Sequence, residues 1–332
     1  MPDINNLLSL MKIISASHIR SLDISSQQCI NWVCQSLSVK SLAQLPKKVN
    51  VCPQGIDFFT SMPCLLPDGV EGLTRRYFGI KEVHRLEGAV PALGSDLLLY
   101  DARSGELLAL IDADWITAMR TGALTALASK VLRKSNAEVY GMVGLGNVAR
   151  ASLICILEQE RERRFKVCLL RYKDQAQLFI DRFKDYDNVD FEVVDDINLL
   201  ASSSDVFISC ITATDGLLVD SESRFRNGAT VIPVHTRGFQ NLDCVFDRVF
   251  GDDTGHVSGF RFFNQFRYYN EIGEVLAGRD KGRCSDSERI LSYNYGLGLH
   301  DVIFAAHIYE LLEGTSAVSD IARQRETRKF WI

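Results

Sequence analysis

Neither a CxxC nor an HxxxH spacing occurs in the 332 residues, so no stretch has the ligand spacing of a zinc site and no metal is expected. The nine cysteines lie singly along the chain, and an odd number cannot pair completely within it. This argues against a disulfide framework and leads to an expectation of reduced, mostly buried thiols in a cytoplasmic protein. No basic stripe is present and the net charge is -5, which argues against a general nucleic-acid binder. No apolar run approaches the ~20 residues of a membrane helix. The opening MPDINNLLSLMK lacks the basic n-region and long apolar core of a secretory signal. Internal repeats, low-complexity tracts and obvious flexible linkers are missing as well.

What remains is an ordinary globular composition, 46% hydrophobic and 24% charged, in a chain long enough for two domains with sizeable cores. One stretch, AEVYGMVGLGNVA at 137–149, organises the rest. The apolar run Val139 to Val143 predicts a buried strand, and a helix-like stretch to Arg161 follows the glycines. Strand, tight turn and helix in this order are the parts of a dinucleotide-binding βαβ unit. Gly144 allows the turn, Gly146 lets the backbone approach a pyrophosphate, and Ala149 lets helix and strand pack closely. Asn147 and Val148 open the helix, whose free N–H groups suit phosphates. An ordinary βα turn has the same look, so the surrounding texture decides.

That texture changes along the chain. Residues 1–40 read as helical after a short apolar start, with Ile30, Val33 and Leu37 at helical spacing. Prolines at 46, 53, 63 and 67 then break helices, and 45–111 reads as β-rich, with a hairpin turn at Arg103-Ser104-Gly105. A helix is predicted from about Asp114 to Arg133. From 137 onward strands (139–143, 166–171, 189–194, 206–211, 229–234, 247–251) alternate with helices (147–161, 174–186, 196–203, 221–226). This alternation implies α/β architecture with a doubly wound parallel sheet. The aromatic stretch 260–269 predicts core or subunit interface, and a last helix is predicted at about 299–313.

The helix segment ITAMRTGALTALASKVL at 116–132 resembles the RT-A-x-S/T-A-x-A motif of the ornithine cyclodeaminase/mu-crystallin family. SMP at 61–63, the hairpin at 97–111, GLGNVA at 144–149, EIGEVLAG at 271–278 and LHDxxxAAxIY at 299–309 resemble further family motifs in the same order. The resemblance implies a Rossmann domain inserted into a discontinuous α+β substrate and dimerisation domain. Here these would be 122–299 and 1–121 plus 300–332, respectively. It also implies a homodimer that holds NAD(P) and takes a small amino or imino acid. Cyclodeaminases, alanine and opine-type dehydrogenases and ketimine reductases belong to the family, as does mu-crystallin, a binding and lens protein.

Carried over position by position, the resemblance places Arg120 in the RT motif, where a guanidinium would hold the substrate α-carboxylate bidentately. Arg76 falls where many members carry a lysine, and Lys48, with Lys47 nearly as suitable, falls near another family arginine. Arg76 could bind a carboxylate but not act as a readily deprotonated base. Thr121 would lie beside the nicotinamide or phosphate. Thr212 and Thr214 follow the strand at 206–211, at a strand end where a doubly wound sheet binds ligands. Arg171 and Lys173 stand where an NAD-specific site has an acid, which points to NADP(H) preferred, with NAD(H) possible; Asp174 is close enough to weaken that inference. His235 occupies the position of the cyclodeaminase aspartate, Asp243 matches a different family position, and His300 stands for a common glutamate. The expected function is an NADP(H)-preferring oxidoreductase acting at the α-carbon of an amino or imino acid. Arg120 and Arg76 would hold the carboxylate and His235 would be the proton-transfer candidate. A cyclodeaminase-type ammonia lyase and a non-catalytic binding protein are the alternatives.

Overall fold

The computed structural model describes residues 8–211, 216–221, 224–234, 243–324 and 330, excepting the side chains at 8 and 324. The chain begins with β1 (Leu8–Ile14), α1 (Ala16–Ser21) and α2 (Ser26–Val39). Five strands follow: β2 (Val49–Val51), β3 (Phe58–Leu65), β4 (Tyr77–Arg85), β5 (Leu93–Asp101) and β6 (Leu107–Asp112). Next come α3 (Asp114–Leu132), β7 (Val139–Val143), α4 (Asn147–Gln159), β8 (Phe165–Leu170), α5 (Gln175–Asp181), β9 (Val189–Val194) and α6 (Ile197–Ser203). The remaining elements are β10 (Val206–Ser209), β11 (Thr230–Pro233), β12 (Arg248–Gly251), α7 (Thr254–Val257), β13 (Tyr269–Glu271), α8 (Ile272–Leu276), β14 (Ile290–Tyr293), α9 (Gly298–Leu312) and β15 (Asp320–Gln324).

The chain divides into two compact units, each assembled from separated segments. The first comprises Met1–Ile24, Val39–Thr117 and Gly298–Ile332. The second comprises Ser25–Ser38 and Ala118–Leu297, so α2 belongs with the elements that follow α3.

The first unit is built on a seven-stranded sheet in the order β15-β1-β6-β5-β4-β3-β2. Only the β1–β6 pair is parallel. Period-two burial separates the faces of its long strands. On one face Met62, Tyr77, Gly79, Lys81, Leu97, Leu99 and Ile111 are buried, and α9 packs against β3, β4 and β5. A Cβ at Gly79 would lie 2.6 Å from Val302 Cγ2, so only glycine admits α9 this closely. The other face carries Pro63, Ile80, Leu98 and Leu110 in register across four strands, each partly exposed.

The second unit holds an eight-stranded, all-parallel sheet in the order β13-β12-β14-β11-β10-β7-β8-β9. β10, β11 and β14 are buried on both faces, so apolar residues dominate them without the alternation of a half-exposed strand. The α/β doubly wound reading holds. Two strands lay beyond it: β14 follows a polar loop without a helical pattern, yet it sits between β11 and β12, and the three-residue β13 forms the edge. Phe260, Phe263, Phe266 and Tyr269 pack against this unit's core, as the aromatic stretch led us to expect. The sequence 8–14 is a strand where the helical reading had only an apolar start; its buried Lys12 pairs with Asp320 of β15 at 2.8 Å. The helix expected at 221–226 lies partly outside the described residues.

Candidate functional site

In the second unit, Gly144 adopts φ +79, and a Cβ there would come within 2.6 Å of the Cys210 carbonyl carbon and Ile211 nitrogen. The turn therefore lies against the end of neighbouring β10 and tolerates no side chain. Gly146, by contrast, faces open space: nothing lies within 4 Å of an added Cβ. It caps the N-terminus of the 13-residue α4. Asn147 is exposed, Val148 half-buried and Ala149 fully buried against the sheet. Open space beside backbone N–H groups at a helix N-terminus fits a dinucleotide pyrophosphate.

α3 brings the RTG sequence to this turn. A Cβ on Gly122 would lie 2.5 Å from the carbonyl carbon of Ala151, so glycine permits the backbones of α3 and α4 to touch. The preceding residues, Arg120 and Thr121, are both buried at 6% exposure. Arg120 turns its guanidinium onto Gly296, whose φ of +80 and missing side chain leave the room. The Gly296 N–H donates to Asp252 Oδ2, a fully buried carboxylate just past β12. One turn along α3, Thr125 accepts from Asn294 Nδ2 at 3.2 Å. Arg120, Asp252, Asn294 and Gly296 thus meet at the carboxyl ends of β12 and β14, the edge where parallel sheets bind ligands.

Nearby, Tyr293 donates to Asp243 Oδ1 at 2.5 Å, and both residues are buried. Burial pushes the Asp243 carboxyl up to about 7, against which the tyrosine hydrogen bond works. Arg171, just past β8, pairs with Asp195, just past β9, at 2.5 Å. Lys173 takes φ 52, with its ammonium 5.3 Å from the centre of the Tyr172 ring.

The first unit contains a polar group the sequence reading did not single out. Lys81, on the buried face of β4, donates to Asp301 Oδ1 at 2.8 Å and to Thr117 Oγ1 at 3.2 Å; both ionic side chains are fully buried. Ser95 Oγ is 2.9 Å from Thr117 Oγ1, and the Ser95 N–H donates to Asp114. Cys64 lies close by, and burial, with the Asp301 charge second, pushes its thiol up to about 12, so it stays protonated. Lys81 escaped notice because a lone lysine in FGIKEV has no local signature. Its function as a buried cation depends on Asp301, supplied from α9 far along the chain.

The other expected site residues are placed as follows. Arg76 donates Nε to the Leu66 carbonyl at 2.9 Å and lies 3.7 Å from Asp68, ahead of β4 and five positions before Lys81. Lys48 is half-buried ahead of β2. His300 is fully buried beside Asp301. His235, Thr212 and Thr214 lie outside the described residues. All nine cysteines are free thiols. Among the described residues no cluster of His, Cys, Asp and Glu has a metal-binding arrangement, and no helix is long and apolar enough to cross a membrane.

A glycine turn open to solvent at a helix N-terminus, an RTG helix and a late helix that packs on the first unit's sheet are the features to set beside known proteins. The ornithine cyclodeaminase/mu-crystallin family model matches residues 11–239, and the chain belongs to that family. It is 26% identical over 227 residues to delta(1)-pyrroline-2-carboxylate reductase of Bacillus cereus, covering 64% of this chain and 70% of that one. Its fold is similar to that of Thermococcus litoralis delta(1)-pyrroline-2-carboxylate reductase, solved in complex with NADH and L-proline. The TM-score is 0.78 at 23% identity, covering 91% and 97% of the two chains. An archaeal alanine dehydrogenase dimer with bound NAD gives a TM-score of 0.80 at 22% identity, covering 94% and 99%.

Proposed function

We propose that the protein is a nicotinamide-dependent reductase of small α-imino carboxylates, able to run the reverse oxidation of the matching amino acid, with NADP(H) preferred. The observation that carries this reading is the fully buried Lys81 ammonium, held by Asp301 and Thr117. Imine reduction needs hydride at the α-carbon and a proton at nitrogen; a lysine removed from bulk water is suited to hold that proton or to favour negative charge nearby. The bound nicotinamide would supply the hydride. Arg120 would hold the carboxylate, since a guanidinium stays charged when buried. Gly144, Gly146, Asn147, Val148, Ala149 and Thr121 would line the dinucleotide site, with Thr212 and Thr214 as further contacts.

We place the proton-handling cation at Lys81 and keep His235, the proton-transfer candidate of the sequence, as a second candidate outside the described residues; Arg76 is engaged by the Leu66 carbonyl and cannot readily lose a proton. Lys48 remains a secondary carboxylate ligand in this reading. His235 stands where a cyclodeaminase would have its aspartate, and a histidine lacks the negative charge that would pair with a side-chain ammonium. Ornithine is therefore a poor substrate in this scheme, which favours reductase over lyase. The relatives with delta(1)-pyrroline-2-carboxylate reductase names support the same choice. We further propose a homodimer formed through the partly exposed apolar face of the first unit's sheet, in keeping with the archaeal dimer of similar fold.

The test is cofactor oxidation by the purified protein with cyclic imino carboxylates and with keto acids plus amines. NADPH consumption matched to amino-acid formation is expected. Ammonia release from ornithine without net cofactor consumption would establish the lyase instead, and cofactor binding without turnover of any of these would establish a binding protein.

A further inference from the structure

We propose that Asp195 sets the cofactor preference, competing with a 2′-phosphate for Arg171; this rests on the reading that a dinucleotide binds at the glycine turn. β8 and β9 are parallel neighbours whose last paired residues are Leu170 and Val194. The Arg171 N–H still reaches the Val194 carbonyl at 2.8 Å, so Arg171 and Asp195 leave the sheet side by side. Their side chains meet at 2.5 Å, Nε to Oδ1. At 54% and 74% side-chain exposure, the pair is open to solvent and able to exchange partners.

The neighbouring charges make Asp195 the decisive one. Asp196 is engaged as the N-cap of α6, accepting from the Asn198 and Leu199 N–H groups. Asp174 is the N-cap residue of α5, but its side chain accepts no cap hydrogen bond. The Lys173 ammonium lies over the Tyr172 ring and has no carboxylate partner among the described residues. Arg171 and Lys173, with Asp195 engaged by Arg171 and Asp174 at the start of α5, therefore lie past the end of β8, the place that reads the adenosine ribose in this class of sheet. With NADH, Arg171 keeps Asp195 and the guanidinium retains its anionic partner. With NADPH, the phosphate must displace or crowd the Asp195 carboxylate to reach the guanidinium. Asp195 thus lowers the advantage that Arg171 and Lys173 confer on the phosphorylated cofactor. Specificity of this kind comes from a repulsive element placed beside an attractive one.

Binding titrations of NADPH and NADH to the whole protein test this. Asp195→Asn should tighten NADPH about two- to fivefold, the range of an exposed ion pair, and leave NADH unchanged. Asp195→Glu, which keeps the charge, should hold the original ratio. Arg171→Ala should weaken NADPH selectively and shrink the effect of Asp195→Asn when the two are combined. The gain from Asp195→Asn should fall as salt rises. An unchanged ratio of affinities in Asp195→Asn, or equal changes for both cofactors, overturns the role of Asp195 while leaving the dinucleotide site standing. Failure of the unaltered protein to bind either cofactor overturns both.

Discussion

Lys81 Nζ lies 2.8 Å from Asp301 Oδ1, the two residues being 220 positions apart in sequence and fully buried in the same unit. A buried ion pair is poor evidence of stability in itself, because desolvation opposes the attraction, but removing one partner strands a charge. Lys81→Met and Asp301→Leu should each lower unfolding free energy by about 3–5 kcal/mol. The charge-free double variant should recover much of that loss in urea melts. Turnover should remain lost in all three. A double variant that is both stable and active would show that the pair is only structural.

Gly296 offers an indirect way to move Arg120. A Cβ there would overlap the guanidinium, and φ +80 strains any other residue. Gly296→Ala should therefore raise the KM for the imino carboxylate, as should Arg120→Met. Losing a charge-assisted contact corresponds to about 1.5–3 kcal/mol, or roughly a ten- to 150-fold fall in kcat/KM. The two changes combined should be no worse than Arg120→Met alone. Additive losses would separate Gly296 from Arg120.

Asp243 gives a pH dependence of defined sign. Its carboxyl titrates near 7 in the folded protein, against about 4 when unfolded. The contribution is fully present below the unfolded value and is lost as pH rises through the folded one. Asp243→Asn removes this loss. The stability of the variant relative to the unaltered protein should therefore climb between about pH 4 and 7 and level off above. A difference that stays constant with pH would mean that Asp243 is already ionised in the fold.

The dimer proposal is tested on the register row Pro63, Ile80, Leu98, Leu110. Leu98→Arg places a charge in the middle of that row. The unaltered protein should scatter light as a dimer at micromolar concentration and the variant as a monomer with unchanged circular dichroism. If both give the same mass, the interface lies elsewhere.

Local chemistry was the readable part. Val139 to Ala149 announces its strand, turn and helix because each step depends on residues next to one another, and Gly144 and Gly146 carry their conformational reasons in their identity. The alternating pattern from 137 onward also made the parallel sheet legible. What stayed hidden depends on separated segments. Asp195 is far from Arg171 in the chain but beside it across β8 and β9, so the strand tip read as cationic when an acid sits against it. Lys81 looks like any β-strand lysine until α9 delivers Asp301. Arg76 was singled out by its place in the family resemblance, and its guanidinium is tied to the Leu66 carbonyl. β14 follows a polar loop with no helical pattern to mark it, yet it sits between β11 and β12 in its sheet.

The discontinuity of the first unit has a consequence for synthesis. Its strands β2 to β6 leave the ribosome early, but α9 and β15, which cover and extend that sheet, come last. While residues 118–297 of the second unit are being made, the Lys81 ammonium has no Asp301, Gly79 has no Val302 against it, and the inner face of β3–β5 lacks α9. The parallel-sheet unit can fold on the growing chain, since domains form as they emerge. The first unit must wait until α9 and β15 have been made. A chain stopped anywhere before 298 would lack α9 and leave an apolar sheet face, with Lys81 on it, without its cover.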